Sequence, residues 1–413
     1  MGNCLVLVAS PLHDPRLLDR LEETLRPVAE KHLGGVEVRR ATSPEEAAGA
    51  ARGCSGVAAV VATGGTEHML LKLASGTRGG LVAVAHPYAN SLPALLEAYP
   101  LLRRMGSTAV FVEELEAGAA EKALAPALRA LKAASRIRGA RLGIVGEPSP
   151  WLVYSRVEPR RLSERLGVEL VEISIDELEE VFRGVAPDAG LVEKVASGAV
   201  SVERPPGEIE KAVRLYQALR FLIEKYRLDA VTVECFAIIP RLDTTACLPF
   251  AILNSEGFVA GCEGDVPSTL TMMMLSWSTG MPAFMANPAR FYPDGLLLAH
   301  CTAPLAFGRY RLLSHFETGK GVGVSAELPT GTKVTIARLD PGLEKIRVGE
   351  AEVLESGLRS SLHCRTQVRL RTSWDPRRLL YESIGNHYVL VPGSHSDTVE
   401  HVGRLLGMEV ERL

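Results

Sequence analysis

Five short apolar runs punctuate the first third of the chain: Cys4–Ser10, Val36–Arg40, Gly56–Ala62, Leu81–His86 and Ala109–Val112. Each is continuous rather than alternating, so both faces of the strand it predicts must be covered. Amphipathic segments such as Pro15–His32 and Leu92–Met105 lie between them, and Ala117–Ala134 is a strong helix former placed to close the unit. Buried strands alternating with helices fold as a parallel sheet with helices on both faces.

A second α/β pattern begins at Arg141–Gly146 and runs through Val168–Ile173, a helix over Pro206–Tyr226, and strands at Ala230–Cys235 and Phe258–Glu263. Beyond about Leu296 the texture changes. Gly321–Leu328, Thr332–Leu339, Lys345–Val353 and Thr366–Arg371 alternate at period two between Gly and Pro turns, which predicts a mostly antiparallel β region. The expected architecture is α/β: two doubly wound parallel-sheet domains, 1–138 and 139–280, then a β-rich C-terminal domain, 281–413. A chain of 413 residues has room for two or three domains.

Net charge is −3 and no block of five basic residues occurs, which argues against a nucleic-acid or anionic-membrane partner. The first apolar run is too short to span a membrane and lacks the basic start of a secretory signal. Seven scattered cysteines form no CxxC pair and no disulfide framework. They read as buried thiols of a reduced, soluble, cytoplasmic protein.

Candidate site residues cluster at predicted strand ends, where open parallel sheets bind ligands. Thr63-Gly64-Gly65-Thr66 follows one strand, and its glycines let backbone N–H groups approach a ligand; the alternative is a turn capped by Thr66. It has no dinucleotide-binding GxGxxG spacing. Asn90 follows the next strand with His86 and Tyr88, while Ser91 reads as a helix cap with Pro93 in the first turn. Glu234 ends an apolar strand, so it lines a cleft or pairs with an arginine such as Arg241. In Gly261-Cys262-Glu263-Gly264-Asp265, Asp265 fits a helix cap and needs no further role. Glu263 comes too early to cap. His300 ends an apolar run, and His387 and His395 lie near the C-terminus. No short metal-binding spacing such as HExxH joins them.

From about Asp229 to Glu409 these features resemble the L-fucose isomerase/L-arabinose isomerase superfamily. The resemblance rests on Val233-Glu234-Cys235-Phe236, Gly261-Cys262-Glu263-Gly264-Asp265 with its apolar helix, Ser314–Gly321, Asn386-His387 and Gly393–Asp397. It implies a sugar isomerase that moves a proton between C1 and C2 of an open-chain pentose or deoxyhexose. It also implies Mn²⁺ or another divalent metal, and a homo-oligomer, trimer or hexamer. Glu263 maps to the family's Glu ligand and base, and His387 to its His ligand. The second carboxylate should fall in Phe284–Pro288, where this chain has Asn287. Asparagine offers a carbonyl oxygen to a hard cation but accepts no proton. His300 is then the substitute ligand, with Asp265 or Asp294 also within consideration. Glu234, Thr66, Asn90 and His395 are the expected sugar contacts. The missing acid keeps two alternatives open: a lyase or epimerase on the same sugar pocket, or a non-catalytic sugar-binding protein.

Overall fold

The computed structural model describes residues 2–413, and these divide into two compact units. The first comprises residues up to Gly139 with Trp277–Thr279 and Asp397–Val410; the second comprises Ala140–Ser276, Gly280–Ser396 and Glu411–Leu413.

In the first unit, strands β1 (Asn3–Val8), β2 (Val36–Ala41), β3 (Val57–Val61), β4 (Leu81–Ala85) and β5 (Ser107–Phe111) form a parallel sheet in the order β2-β1-β3-β4-β5. All residues of β1, β3 and β4 are buried, as continuous apolar runs require. The closing helix Ala117–Ile137 buries Leu124, Leu128 and Leu131, three and four residues apart on one face. The expected absence of disulfides is corrected here: Cys4 and Cys54 are bonded, with Cα atoms 5.7 Å apart. Parallel pairing of β1 with β3 sets Cys4 opposite Val57, and Cys54 lies just before that strand. A contact made by sheet register across fifty residues leaves no trace in cysteine spacing.

The second unit opens with β6 (Arg141–Val145) and β7 (Glu169–Ile173). A short β8 (Ser201–Val202) follows, then β9 (Ala230–Val233) and β10 (Val259–Cys262). The order β7-β6-β9-β10 is parallel throughout. Then come β11 (Phe284–Tyr292), β12 (Gly295–His300), β13 (Tyr310–Leu313), β14 (Gly323–Ala326), β15 (Lys333–Leu339), β16 (Lys345–Gly357), β17 (Thr366–Thr372) and β18 (Tyr388–Pro392), with a last short β19 (Glu409–Arg412) at the end of the chain. Strands β15, β18, β11, β12, β17 and β16 pair antiparallel in that order, and β16 pairs back to β15, closing a barrel. The fold is thus α/β with two parallel sheets and an antiparallel barrel. Helices Pro206–Tyr226 and Cys247–Ser255 share one apolar core with the barrel, where Val213, Leu248 and Ile252 meet Phe284, Leu298 and Leu390. That packing holds the carboxyl end of β10 in the same unit as the barrel strands that supply the histidines. No helix among the described residues is long and apolar enough to cross a membrane.

Candidate active site

Glu263 is the first residue after β10 and adopts φ +64°, a left-handed conformation costly for any residue with a Cβ. Gly264 follows at φ +66°, and a Cβ there would lie 2.5 Å from the Glu147 carbonyl oxygen. Only glycine fits. This paired left-handed turn lets the chain leave the sheet and enter helix Val266–Thr279 within three residues. Non-glycine strain of this kind concentrates where a side chain must be aimed.

The barrel supplies the other half. Asn287 on β11 lies opposite Ala299 of β12, and Ala286 lies opposite Tyr388 of β18. His300 at the end of β12 and His387 just before β18 therefore emerge at one mouth of the barrel. Glu263, His300 and His387 are all buried, and each offers one ligand atom within 4.8 Å of the others. The Nε2 atoms of His387 and His300 lie 3.6 Å and 4.0 Å from the same oxygen, Glu263 Oε1. Each ring's Nδ1 is engaged elsewhere: His387 Nδ1 donates to Asp265 Oδ2 at 2.9 Å, and His300 Nδ1 is bonded to the Thr302 hydroxyl at 3.0 Å. The second oxygen of Glu263 accepts the indole N–H of Trp151 at 2.6 Å.

The reading of Asp265 as a cap alone is incomplete. Its Oδ1 does accept the Ser268 N–H at 2.8 Å, as a helix cap should. Its Oδ2 meanwhile orients His387 and lies 3.3 Å from Arg338 Nη1. Arg338, on β15, is entirely buried and also donates to the His387 carbonyl at 2.7 Å, to Ser155 Oγ at 2.6 Å and to Ser268 Oγ. A buried guanidinium must be paired and fully bonded, and this one is held by the cap, the helix and the histidine strand together.

These contacts set the charges. Burial raises the Glu263 carboxyl, and the His387 bond and charge, His300 and Trp151 outweigh it, leaving it at about 2. Burial likewise raises Asp265, while Arg338 and His387 bring it to about 2. Burial lowers His387, but bonds to Asp265 and Glu263 carry it up to about 9. Burial and the His387 charge lower His300 to about 4. At neutral pH the site holds two carboxylates, one imidazolium and one neutral imidazole.

Asn287 lines the same cavity, and its carbonyl oxygen accepts from Asn386 Nδ2 at 3.2 Å. Asp294 pairs with Arg369 instead of joining the site. Glu234 accepts the Glu147 N–H at 3.0 Å and faces a separate crevice of about 1060 Å³ along the ends of β6, β7 and β9. It does not pair with Arg241, which bonds Asp176 and Glu179. His395 bonds the Pro392 carbonyl and the Thr335 hydroxyl, away from the cavity lining. Thr66 and Asn90 belong to the first unit. Thr66 does not cap its helix, because its hydroxyl donates to the Thr63 carbonyl. Ser91 does not cap either; Asn90 takes the cap position at φ +57°, and Ser91 bonds the Val61 carbonyl and the His86 N–H. Those backbone groups close the ends of neighbouring strands and compete successfully for the hydroxyl.

Three contributors escaped the sequence reading. Arg338 lies within the apolar part of its strand, a signal by itself, since arginine is almost never fully buried without a partner. Trp151 and Ser155 lie in the loop after β6, at the binding edge of a parallel sheet, where rim loops carry function.

No family model matches this chain. A sulfoquinovose isomerase of Priestia aryabhattai is 23% identical over 310 residues, covering 69% of this chain and 66% of the relative. One from Clostridium sp. (strain MSTE9) is 23% identical over 308 residues, covering 69% and 67%. The match to the Priestia protein thus spans just under two thirds of its length. Among solved structures, apo D-lactate dehydrogenase from Escherichia coli overlaps 66% of this chain and 93% of its own at 14% identity. Its TM-score is 0.17, too low to bear on the fold.

Proposed function

We propose that the chain is a metal-dependent aldose–ketose isomerase acting on a neutral open-chain sugar, a pentose or deoxyhexose. One observation carries the reading: both histidine Nε2 atoms face one oxygen of Glu263, while both Nδ1 atoms and the other carboxylate oxygen are held from outside. Carboxylate-oriented imidazole is the usual support of a metal-binding histidine. The donor set of one carboxylate and two imidazoles suits a divalent ion such as Mn²⁺. Glu263, His300 and His387 would hold it, and when bound it supplies Lewis-acid polarisation of neighbouring sugar oxygens. The sulfoquinovose isomerase relatives support sugar isomerisation as the reaction type.

Glu263 is the residue proposed to take the proton from C2 and return it to C1. Its basicity is depressed chiefly by His387 against the pull of burial, so loss of the His387 proton strengthens it. Asn287 binds a hydroxyl through its amide and moves no proton. Phe236, stacked edge-on against Trp151 at 4.8 Å and His315 at 5.6 Å, keeps water from the reacting carbons. The cavity beside Glu263 is lined by neither Lys nor Arg. A sulfonate would call for such a cation, which is why a neutral sugar is proposed. The test is aldose–ketose exchange on pentoses, deoxyhexoses and sulfoquinovose, with Mn²⁺ and with chelator, for the parent and Glu263→Gln. Turnover of a neutral sugar, lost with chelator and in the variant, is expected. No turnover on any sugar sinks the reading, and turnover on sulfoquinovose alone overturns the neutral substrate.

A further inference from the structure

The cavity beside Glu263 has an unusual wall. Every free cysteine among the described residues lines it: Cys235, Cys247, Cys262, Cys301 and Cys364. Two of them touch. Cys262 ends β10 opposite Val233 of β9, and two residues after Val233 the chain turns into helix Cys235–Leu242. That turn carries Cys235 back over the strand end, leaving its Sγ 2.7 Å from Cys262 Sγ. Both side chains are buried, and the Val233 carbonyl lies 3.3 Å from Cys235 Sγ. An S–S bond is about 2.05 Å long, so less than an ångström of movement separates this pair from a cystine. The same chain already closes one cystine, Cys4–Cys54, in its first unit.

We propose that Cys235 and Cys262 form a second, reversible disulfide, and that the oxidant is a peroxide small enough to enter the cavity. The space beside the pair is about 30 Å³, on the order of one or two water molecules. Hydrogen peroxide is of that scale, so it reaches the pair without any opening of the cavity. One sulfur attacks a peroxide oxygen; an S–O bond forms, the O–O bond breaks, and one water leaves. The second sulfur then attacks the sulfenic acid; the S–S bond forms, the S–O bond breaks, and a second water carries off the remaining thiol proton. Each sulfur loses one electron and the peroxide gains two. Because Cys262 immediately precedes Glu263 and Cys235 immediately follows Glu234, the bond braces both strand-end carboxylates. The inference does not depend on the reaction proposed for Glu263.

The experiment treats the folded full chain with hydrogen peroxide, counts thiols after denaturation, and maps the linked peptides by mass. The expected result is a thiol count lower by two, a Cys235–Cys262 cross-link that dithiothreitol reopens, and a rise in melting temperature on oxidation. Cys364→Ala should keep the cross-link and Cys235→Ala should lose it. An unchanged thiol count, over-oxidation to sulfinic or sulfonic acid without a cross-link, or a cross-link between other cysteines overturns the proposal. Thiol counting on the parent chain keeps the test decisive even if a variant fails to fold.

Discussion

At the scale of single residues the site depends on Asp265, a carboxylate with two unrelated duties. Its Oδ1 caps a helix and its Oδ2 holds His387 against Arg338. Asp265→Asn separates them, because asparagine caps a helix nearly as well but carries no charge. Breaking a buried ion pair by removing one partner costs about 3–5 kcal/mol, since the other charge stays buried. Urea unfolding of the variant should show a loss of that order, far above the cost of a missing cap. The same contacts set a pH window for the metal-free protein. Asp265 is depressed from 3.8 to about 2, so its contribution is complete above 3.8 and is lost as pH falls through about 2. His387 is raised from 6.5 to about 9, so its contribution is complete below 6.5 and is lost as pH rises through about 9. Denaturant midpoints measured in chelator should decline between pH 6.5 and 9.5, and the decline should vanish in His387→Gln.

Among the elements, the loop between β6 and helix Pro159–Leu166 does more than connect. It brings Trp151 to Glu263 Oε2 and Ser155 to Arg338. Trp151→Phe keeps an aromatic ring against Phe236 and removes one hydrogen bond to a charged carboxylate, an interaction of about 1.5–3 kcal/mol. If Glu263 is the base and this bond holds its aim, kcat for the proposed exchange should fall by roughly ten- to a hundredfold, with the melting temperature lowered by only a few degrees. Strands and helices were legible in the sequence wherever their signal is local. The apolar runs of β1, β3 and β4 and the period-two pattern of β15–β17 predict elements within a residue or two of those observed, β16 aside, which runs four residues further. The site was legible only in part, because its parts meet through tertiary contacts. Glu263 stands out as a strand-end acid with no capping role, and His300 as the end of an apolar run. Nothing near Asp265 in the chain announces His387, which lies 122 residues away. The same holds for the Trp151 bond to Glu263, which spans 112 residues.

On the scale of the whole molecule, the first unit is stapled by a bond that its cysteine spacing did not announce. Cys4 and Cys54 are 50 residues apart in sequence. Closing a loop of that length removes enough unfolded-chain entropy to stabilise the fold by on the order of 4 kcal/mol in the chain-entropy account. The bond joins the start of β1 to the approach of β3, the central strands of the sheet order β2-β1-β3-β4-β5, so its loss loosens the middle of that sheet. The paired substitution Cys4→Ala with Cys54→Ala should therefore lower the melting midpoint by several degrees. Dithiothreitol should lower the parent's midpoint by a similar amount and leave the variant's unmoved. Mn²⁺ binding, followed by calorimetry, should survive in the variant, because Glu263, His300 and His387 all belong to the second compact unit. A parent midpoint indifferent to reductant would show that the bond does not contribute, and Mn²⁺ binding lost with the cysteines would show that the site depends on the first unit after all.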